Sequence, residues 1–220
     1  MSRRRLLYGT SGPGPTPEPE PNWIAANGLA YIDLGVTPTN KSGIRIVFDV
    51  KNDYDTSKEC TLCGSEISAN NSTFDAMYFR VNGTCHAEWG SSVYPESLTF
   101  DNPDAVYEWR QEANAFNLLM NDVVVKSYSF SAQTFTCTGT LFLFNMNRYN
   151  IYSPHLWSRC PRVRKVMYTD DCTIANPVWN EFTPYYLASQ QEYGLIDSIN
   201  YRFYGSKTFS SQGTIIGHVE

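Results

Sequence analysis

Ile44, Ile46, Phe48 and Val50 alternate with Arg45, Val47, Asp49 and Lys51, a repeat of two residues. Successive side chains of a strand point to opposite faces, so this spacing makes a half-buried strand. The same pattern returns. Phe116, Leu118 and Met120 alternate, Asn121-Asp122 reads as a tight turn, and Val123-Val124-Val125 comes back as the second arm of a hairpin. Val106–Arg110 and Arg164–Tyr168 are further strands, the latter stopped by a turn at Asp170-Asp171, and Leu141–Phe144 is a strand buried on both faces. No capped segment keeps a 3.6-residue period over twelve residues, so no helix is expected. An aromatic content of 15%, with 14 Gly and 12 Pro, suits strands and turns. Short strands at intervals of ten or more residues point to an all-β sandwich.

The chain divides into three parts. Residues 1–8 are a basic-apolar arm, with Arg3, Arg4 and Arg5 followed by Leu6, Leu7 and Tyr8. Residues 9–21 are a linker in which prolines 13, 15, 17, 19 and 21 recur at every second position, giving an extended stem of about 40 Å. Residues 22–220 have globular composition. The basic start lacks an apolar h-region, so classical secretion is not expected. The six cysteines are then read as thiols of a protein made in a reducing cytoplasm. A net charge of −5 disfavours nucleic acid, and no apolar run approaches the ~20 residues of a membrane span.

Three segments carry a resemblance. Gly28-Leu-Ala-Tyr31-Ile32-Asp33-Leu-Gly35-Val36-Thr-Pro38 precedes Arg45-Ile-Val-Phe-Asp49. Val163–Tyr168 and Asp171 precede Trp179-Asn-Glu181-Phe182-Thr-Pro184. Gly194-Leu195-Ile196-Asp197 precedes Tyr201-Arg-Phe203-Tyr204-Gly205 and Gly213-Thr-Ile-Ile-Gly217. In this order they resemble the concanavalin A-like (laminin-G-like) jelly-roll domains found in gut phages and bacteria. Glu181 stands where that family usually has Asp, and Ile196 where it usually has Tyr. The resemblance implies a concanavalin A-like sandwich. Tyr31 and Ile32 would begin an edge-pairing strand, Gly35 and Pro38 would end it, and Phe203-Tyr204-Gly205 would bring the closing strand beside the first. The opening arm ahead of such a domain resembles the starts of phage virion proteins: head fibres, capsid decorations or tail components.

Glu108-Trp-Arg110-Gln-Glu112 is the nearest match to the paired acids of a glycosidase, which need two carboxyls about 5–5.5 Å apart for retention. Arg110 at its centre puts a permanent cation between them and spoils the acid role. Cys60-Thr-Leu-Cys63 with Cys85-His86 offers one spaced pair and one adjacent pair, short of a tetrahedral zinc set. Asp49, Asp53, Asp55, Asp101 and Asp104 could offer oxygens to calcium, but follow no ligand order and read as solvated loops. No Gly-x-Ser-x-Gly elbow is present. No metal, cofactor or catalytic residue is therefore assigned. For a glycan, Tyr149, Tyr152, His155 and Trp157 form an aromatic-rich loop whose rings could stack on sugar faces, against the simpler reading that they pack in the core. Arg159, Arg162, Arg164 and Lys165 make a basic run. It reads as a solvated sheet edge that blocks unwanted pairing, or else as a contact for an acidic neighbouring subunit.

These readings lead to a non-enzymatic virion accessory protein. It would be made in the host cytoplasm and displayed on the particle as a homo-oligomer. Arg3, Arg4, Arg5, Leu6, Leu7 and Tyr8 would dock it to capsid or tail proteins, and the sandwich would contact a host glycan. The alternatives are a free carbohydrate-binding module or adhesin and, behind it, a glycoside hydrolase. Neither nucleic acid nor membrane insertion is expected.

Overall fold

The structure is a computed structural model and describes residues 20–51, 60–65, 77–81, 85–90, 92–93, 100, 102–148, 151–153 and 161–219. Seventeen strands and no helix are found among them. In chain order these are β1 (Trp23–Asp33), β2 (Gly43–Asp49), β3 (Cys60–Ser65), β4 (Met77–Val81), β5 (Cys85–Trp89) and β6 (Ser92–Val93). There follow β7 (Val106–Glu112), β8 (Ala115–Met120), β9 (Val123–Ser129), β10 (Phe142–Leu143), β11 (Met146–Arg148) and β12 (Ile151–Ser153). The last are β13 (Arg162–Thr169), β14 (Asn180–Leu187), β15 (Glu192–Asp197), β16 (Phe203–Gly205) and β17 (Lys207–His218).

They form two sheets. The larger is antiparallel and runs β9, β8, β7, β2, β13. The far flank of β13 is shared. β14 pairs with it at Val166–Tyr168 and leads on to β15 and β16, while β1 meets it at Val163 and leads on to β17. The smaller sheet runs from the tip of β1 through β10, β3, β4 and β5 to β6. β11 adds a short parallel contact to β3, and β12 pairs with β11.

The period-two residues do what their spacing demands. Ile44, Ile46 and Phe48 are wholly buried, Val50 nearly so, and they meet Trp109, Phe116, Val163, Val166 and Phe182 in one core. The smaller sheet contributes Leu62, Ala87, Trp89 and Leu143. Each such large side chain taken out of water is worth about 1.5–3 kcal/mol, which makes this layer the main source of stability. The β8–β9 hairpin turns on Asn121 and Asp122, both at positive φ (49° and 65°), with Met120 opposite Val123. Asn and Asp tolerate that conformation, and it matches the strand twist. The Asn121 side chain also accepts a hydrogen bond from the Val106 N–H at 3.0 Å, tying the turn to β7.

The family-like motifs resolve into local structure. Tyr31 is buried and stacks on Phe142 at 4.3 Å, where β1 passes from one sheet to the other. Asp33 accepts hydrogen bonds from the Gly35 N–H and from Lys207 Nζ, both at 2.9 Å, and Gly35 takes φ +68° to turn the chain. Burial would raise the Asp33 pKa, but hydrogen bonds from Lys207, Thr140 and Gly35 outweigh it and hold the carboxyl below its ordinary value. Asp197 is buried, and its Oδ1 accepts the N–H groups of Ile199 and Asn200, capping the turn before β16.

Four expectations need correction. Tyr31 and Ile32 do not begin an edge strand. They end β1, whose neighbours are β17, β13 and β10, because the strand already starts at Trp23. Phe203-Tyr204-Gly205 pairs with β15, and the strand beside β1 is β17, with Trp23 opposite His218 and Tyr31 opposite Lys207. The basic run is not an edge either, since β13 lies between β2 and β14. Its described cations are each engaged by a partner in the same chain. The Arg162 guanidinium lies 4.4 Å over the Trp23 ring, Arg164 donates to Asp49 at 2.8 Å, and Lys165 reaches Glu181 at 3.4 Å. Asp49 is accordingly a buried ion-pair partner, not a solvated loop acid. The β13 register shifts between Val163 and Lys165, a bulge that aims Arg164 at Asp49.

Removing one partner of a buried pair strands the other charge. Arg164→Ala should therefore destabilise by roughly 3 kcal/mol. Lys165→Ala, which removes a half-exposed pair, should cost no more than about 1 kcal/mol. Denaturant unfolding of both variants checks the ranking.

Candidate functional site

Because Ile44, Ile46 and Phe48 face the core, Gly43, Arg45 and Val47 face outward. On β7, Tyr107, Trp109 and Gln111 are buried and Glu108, Arg110 and Glu112 face outward. The register sets Val47 opposite Glu108, Arg45 opposite Arg110 and Gly43 opposite Glu112. Two facing guanidinium groups would repel unless each were compensated. Both are. Arg110 gives Nε and Nη2 to the two oxygens of Glu108 at 3.0 and 3.1 Å, and Arg45 Nε donates to Glu112 at 2.6 Å. Arg110 Nε is also 4.0 Å from Glu112, so the charges form a continuous ladder. The hydrogen bonds from Arg110 to Glu108 raise the Arg110 pKa despite partial burial.

Trp179 completes this face. The Arg45 guanidinium lies 4.3 Å from the centre of its ring. The ring is seated over Gly43: a Cβ there would lie 2.8 Å from Trp179 and 3.0 Å from Cys172. Gly43 is thus required by the approach of the ring, and a side chain at this position would lever Trp179 away.

Trp179 ends the β13–β14 loop, residues 170–179, and the β15–β16 loop, residues 198–202, lies at the same end of the sheet. Ser198 ties the second loop to the start of β14, because its N–H donates to the Glu181 carbonyl at 2.8 Å and its Oγ accepts the Glu181 N–H at 3.0 Å. The first loop carries Ile174 and Val178, 53% and 73% exposed, and the second Ile199 and Tyr201, 52% and 63% exposed. Tyr201 takes φ +55°. The first loop is anchored to the turn before β2. The Cys172 N–H donates to the Lys41 carbonyl at 2.8 Å, and Tyr168 Oη lies 3.0 Å from Ser42 Oγ. At the other end of the ladder, Val47, Val106, Tyr107, Glu108, Asn121 and Asp122 line an open depression of about 310 Å³.

This arrangement offers fixed hydrogen-bond donors and acceptors beside an aromatic ring. Glu108 and Glu112 are both engaged by guanidinium groups, the juxtaposition expected from Arg110, to which the fold adds Arg45. Among the described residues, no group of three or more His, Cys, Asp or Glu is placed to hold a metal ion. Cys63 is fully buried, and burial pushes its thiol pKa well up.

Of the residues singled out for glycan contact, Tyr149, His155 and Trp157 lie outside the described residues. Tyr152 belongs to β12, paired with Asn147. The arm residues Arg3, Arg4, Arg5, Leu6, Leu7 and Tyr8, and Asp53, Asp55, Asp101 and Arg159, also lie outside. The sequence reading missed Trp179 and Arg45 as a pair. The signal available was a glycine at the first outward position of β2, where a side chain would be expected.

The fold and this face define a two-sheet, all-β sandwich of the kind the concanavalin A-like resemblance implies. It is similar to the crystal structure of a “putative carbohydrate binding protein” from Bacteroides ovatus ATCC 8483, with a TM-score of 0.51 and 12% identity. The match covers 90% of this chain and 60% of that one, so this chain spans about three-fifths of the neighbour's length. At that identity the likeness is one of fold. No protein-family model matches the chain, and no curated protein matches it by sequence.

The support beneath this face sets a pH dependence. Burial raises the Tyr168 phenol well above its ordinary value near 10. Above about pH 10 the unfolded chain gives up this proton and the folded chain keeps it, so the unfolded state gains and stability falls. Buried Tyr31 and Cys63 and half-buried Tyr204, whose pKa values are also raised, act in the same direction. The denaturation midpoint should drop between pH 8 and 11, and Tyr168→Phe should make the drop smaller.

Proposed function

We propose that this chain is a non-catalytic carbohydrate-binding module built on a β-sandwich. The observation that carries this reading is the paired ladder Glu108–Arg110–Glu112–Arg45 on the outer face of the larger sheet. Its polar groups are held in place for hydrogen bonding, and its carboxylates are already engaged by cations, a poor state for a general acid. The likeness to a fold neighbour described as a carbohydrate-binding protein supports the same ligand class. A glycan array probed with the full chain should give reproducible signals, and the bound glycans should be recovered uncleaved. An array without signal from folded protein would refute the reading, and cleavage would replace it with hydrolysis.

A second reading places this module on a phage particle. It is favoured by Arg3, Arg4, Arg5, Leu6, Leu7 and Tyr8 ahead of a proline-spaced stem. The arm is too short to fold alone and would order on a capsid or tail protein. A homo-oligomer would turn several weak arms into firm attachment through effective concentration. The localisation would be the virion surface, with the sandwich reaching towards host glycans. Deleting residues 1–21 should abolish incorporation into particles, and normal occupancy by the truncated protein would defeat this reading.

A further inference from the structure

We infer that the glycan site lies at the end of the sandwich remote from the Trp23–His218 pair, on Trp179, Tyr201 and the Arg45–Glu112 pair, and that it takes an uncharged glycan. The inference rests on the carbohydrate reading above and gives it a place and a ligand class.

Position comes first. The row at one end of the larger sheet runs from Trp23 and His218 through Val163 and Phe48 to Tyr107. The row at the other end holds Thr169, Gly43 and Glu112. β13 connects the two, and its seven steps from Arg162 to Thr169 span roughly 23 Å. Trp179 sits at the second end. A sandwich held at its Trp23–His218 end therefore presents Trp179 at the opposite end.

Surface chemistry points to the same end. Among the described residues seven large hydrophobic side chains are exposed. Val123, Val124 and Val125 follow the hairpin turn; the other four lie on the β13–β14 loop (Ile174 and Val178) and the β15–β16 loop (Ile199 and Tyr201). Tyr201 is held at positive φ, which costs a non-glycine residue about 1 kcal/mol or more. The Asp197 cap and the bond from the Asp197 N–H to the Arg202 carbonyl enforce that turn. A strained backbone that holds an aromatic ring in solvent at the same end of the sheet as Trp179 is explained if the ring has a ligand to meet. Sugar C–H faces stack on such rings, and the fixed Arg45 and Glu112 groups would take the hydroxyls.

Charge selects the ligand class. Four cations of this end have a carboxylate, Lys41 with Asp171, Arg45 with Glu112, Arg110 with Glu108 and Lys165 with Glu181, while Arg202 lies 5.1 Å over the Tyr204 ring and Asp170 adds an opposing carboxylate. The pairs sum to zero on a chain of net charge −5, so an anionic sugar gains little here.

The test is a glycan array with the full chain, followed by calorimetric titration of its strongest ligand into wild type, Trp179→Ala, Tyr201→Ala and Trp157→Ala. Trp179→Ala and Tyr201→Ala should each weaken binding by about tenfold, as central aromatic contacts do, while Trp157→Ala leaves it unchanged. Between 50 and 500 mM salt the wild-type affinity should change by less than about twofold. The Tyr201 side chain is largely in solvent, so Tyr201→Ala decides the matter if Trp179→Ala fails to fold. Unaltered binding by Tyr201→Ala with loss in Trp157→Ala would overturn this site and leave the carbohydrate reading intact. An anionic best ligand with steep salt dependence would overturn the ligand class. An array without signal for wild type would remove both this site and the reading beneath it.

Discussion

One strand belongs to both sheets, and the architecture depends on it. β1 pairs with β17 from Trp23 to Tyr31, touches β13 at Ile24, and then pairs with β10 at Ile32 and Asp33. Beyond Asp33 the chain keeps its partner: Leu34 donates to Leu141, Leu141 to Val36, and Cys137 to Pro38. The crossing point is held by the Tyr31–Phe142 stack and the Asp33–Lys207 ion pair. Without this crossing the two apolar layers would be linked only by loops, and neither sheet alone would cover the other's core residues.

From that crossing the outer face follows. β1 and β14 share one flank of β13, so the larger sheet runs on from β7, β2 and β13 to β14. Arg45 is thereby set between the carboxylate of Glu112 and the ring of Trp179. The ladder is orderly because it lies on paired strands. The loops at its end are shaped by hydrogen bonds: Asp197 caps one, and Cys172 and Asp171 brace the other. A rigid sheet carrying polar groups, with adaptable loops at its margin, is a common division of labour in binding proteins.

Local chemistry explains which parts were legible in the sequence. The alternation of Ile44, Ile46 and Phe48 and the Asn121-Asp122 turn concern neighbours in the chain, and both folded as their residue types require. The role of Arg164 was hidden because its partner Asp49 is 115 residues away, and a cation's burial depends on that partner. A run of charges looks like an edge until the opposing charges are placed in space. Trp179 was hidden for a related reason: its seat is an empty position, Gly43, and a missing side chain advertises nothing about what fills the gap.

The pairing of the first strand with the last has a kinetic side. Gly28 lies opposite Gly213, so the contact that closes the larger sheet joins the two ends of the domain's sequence. During synthesis β1 must wait, with its bonding edge open, until nearly the whole domain has emerged. Closure over so long a separation is slow, and an open edge in the meantime invites other chains. The same strand that makes the finished sandwich whole is the one through which a nascent copy is most vulnerable to aggregation.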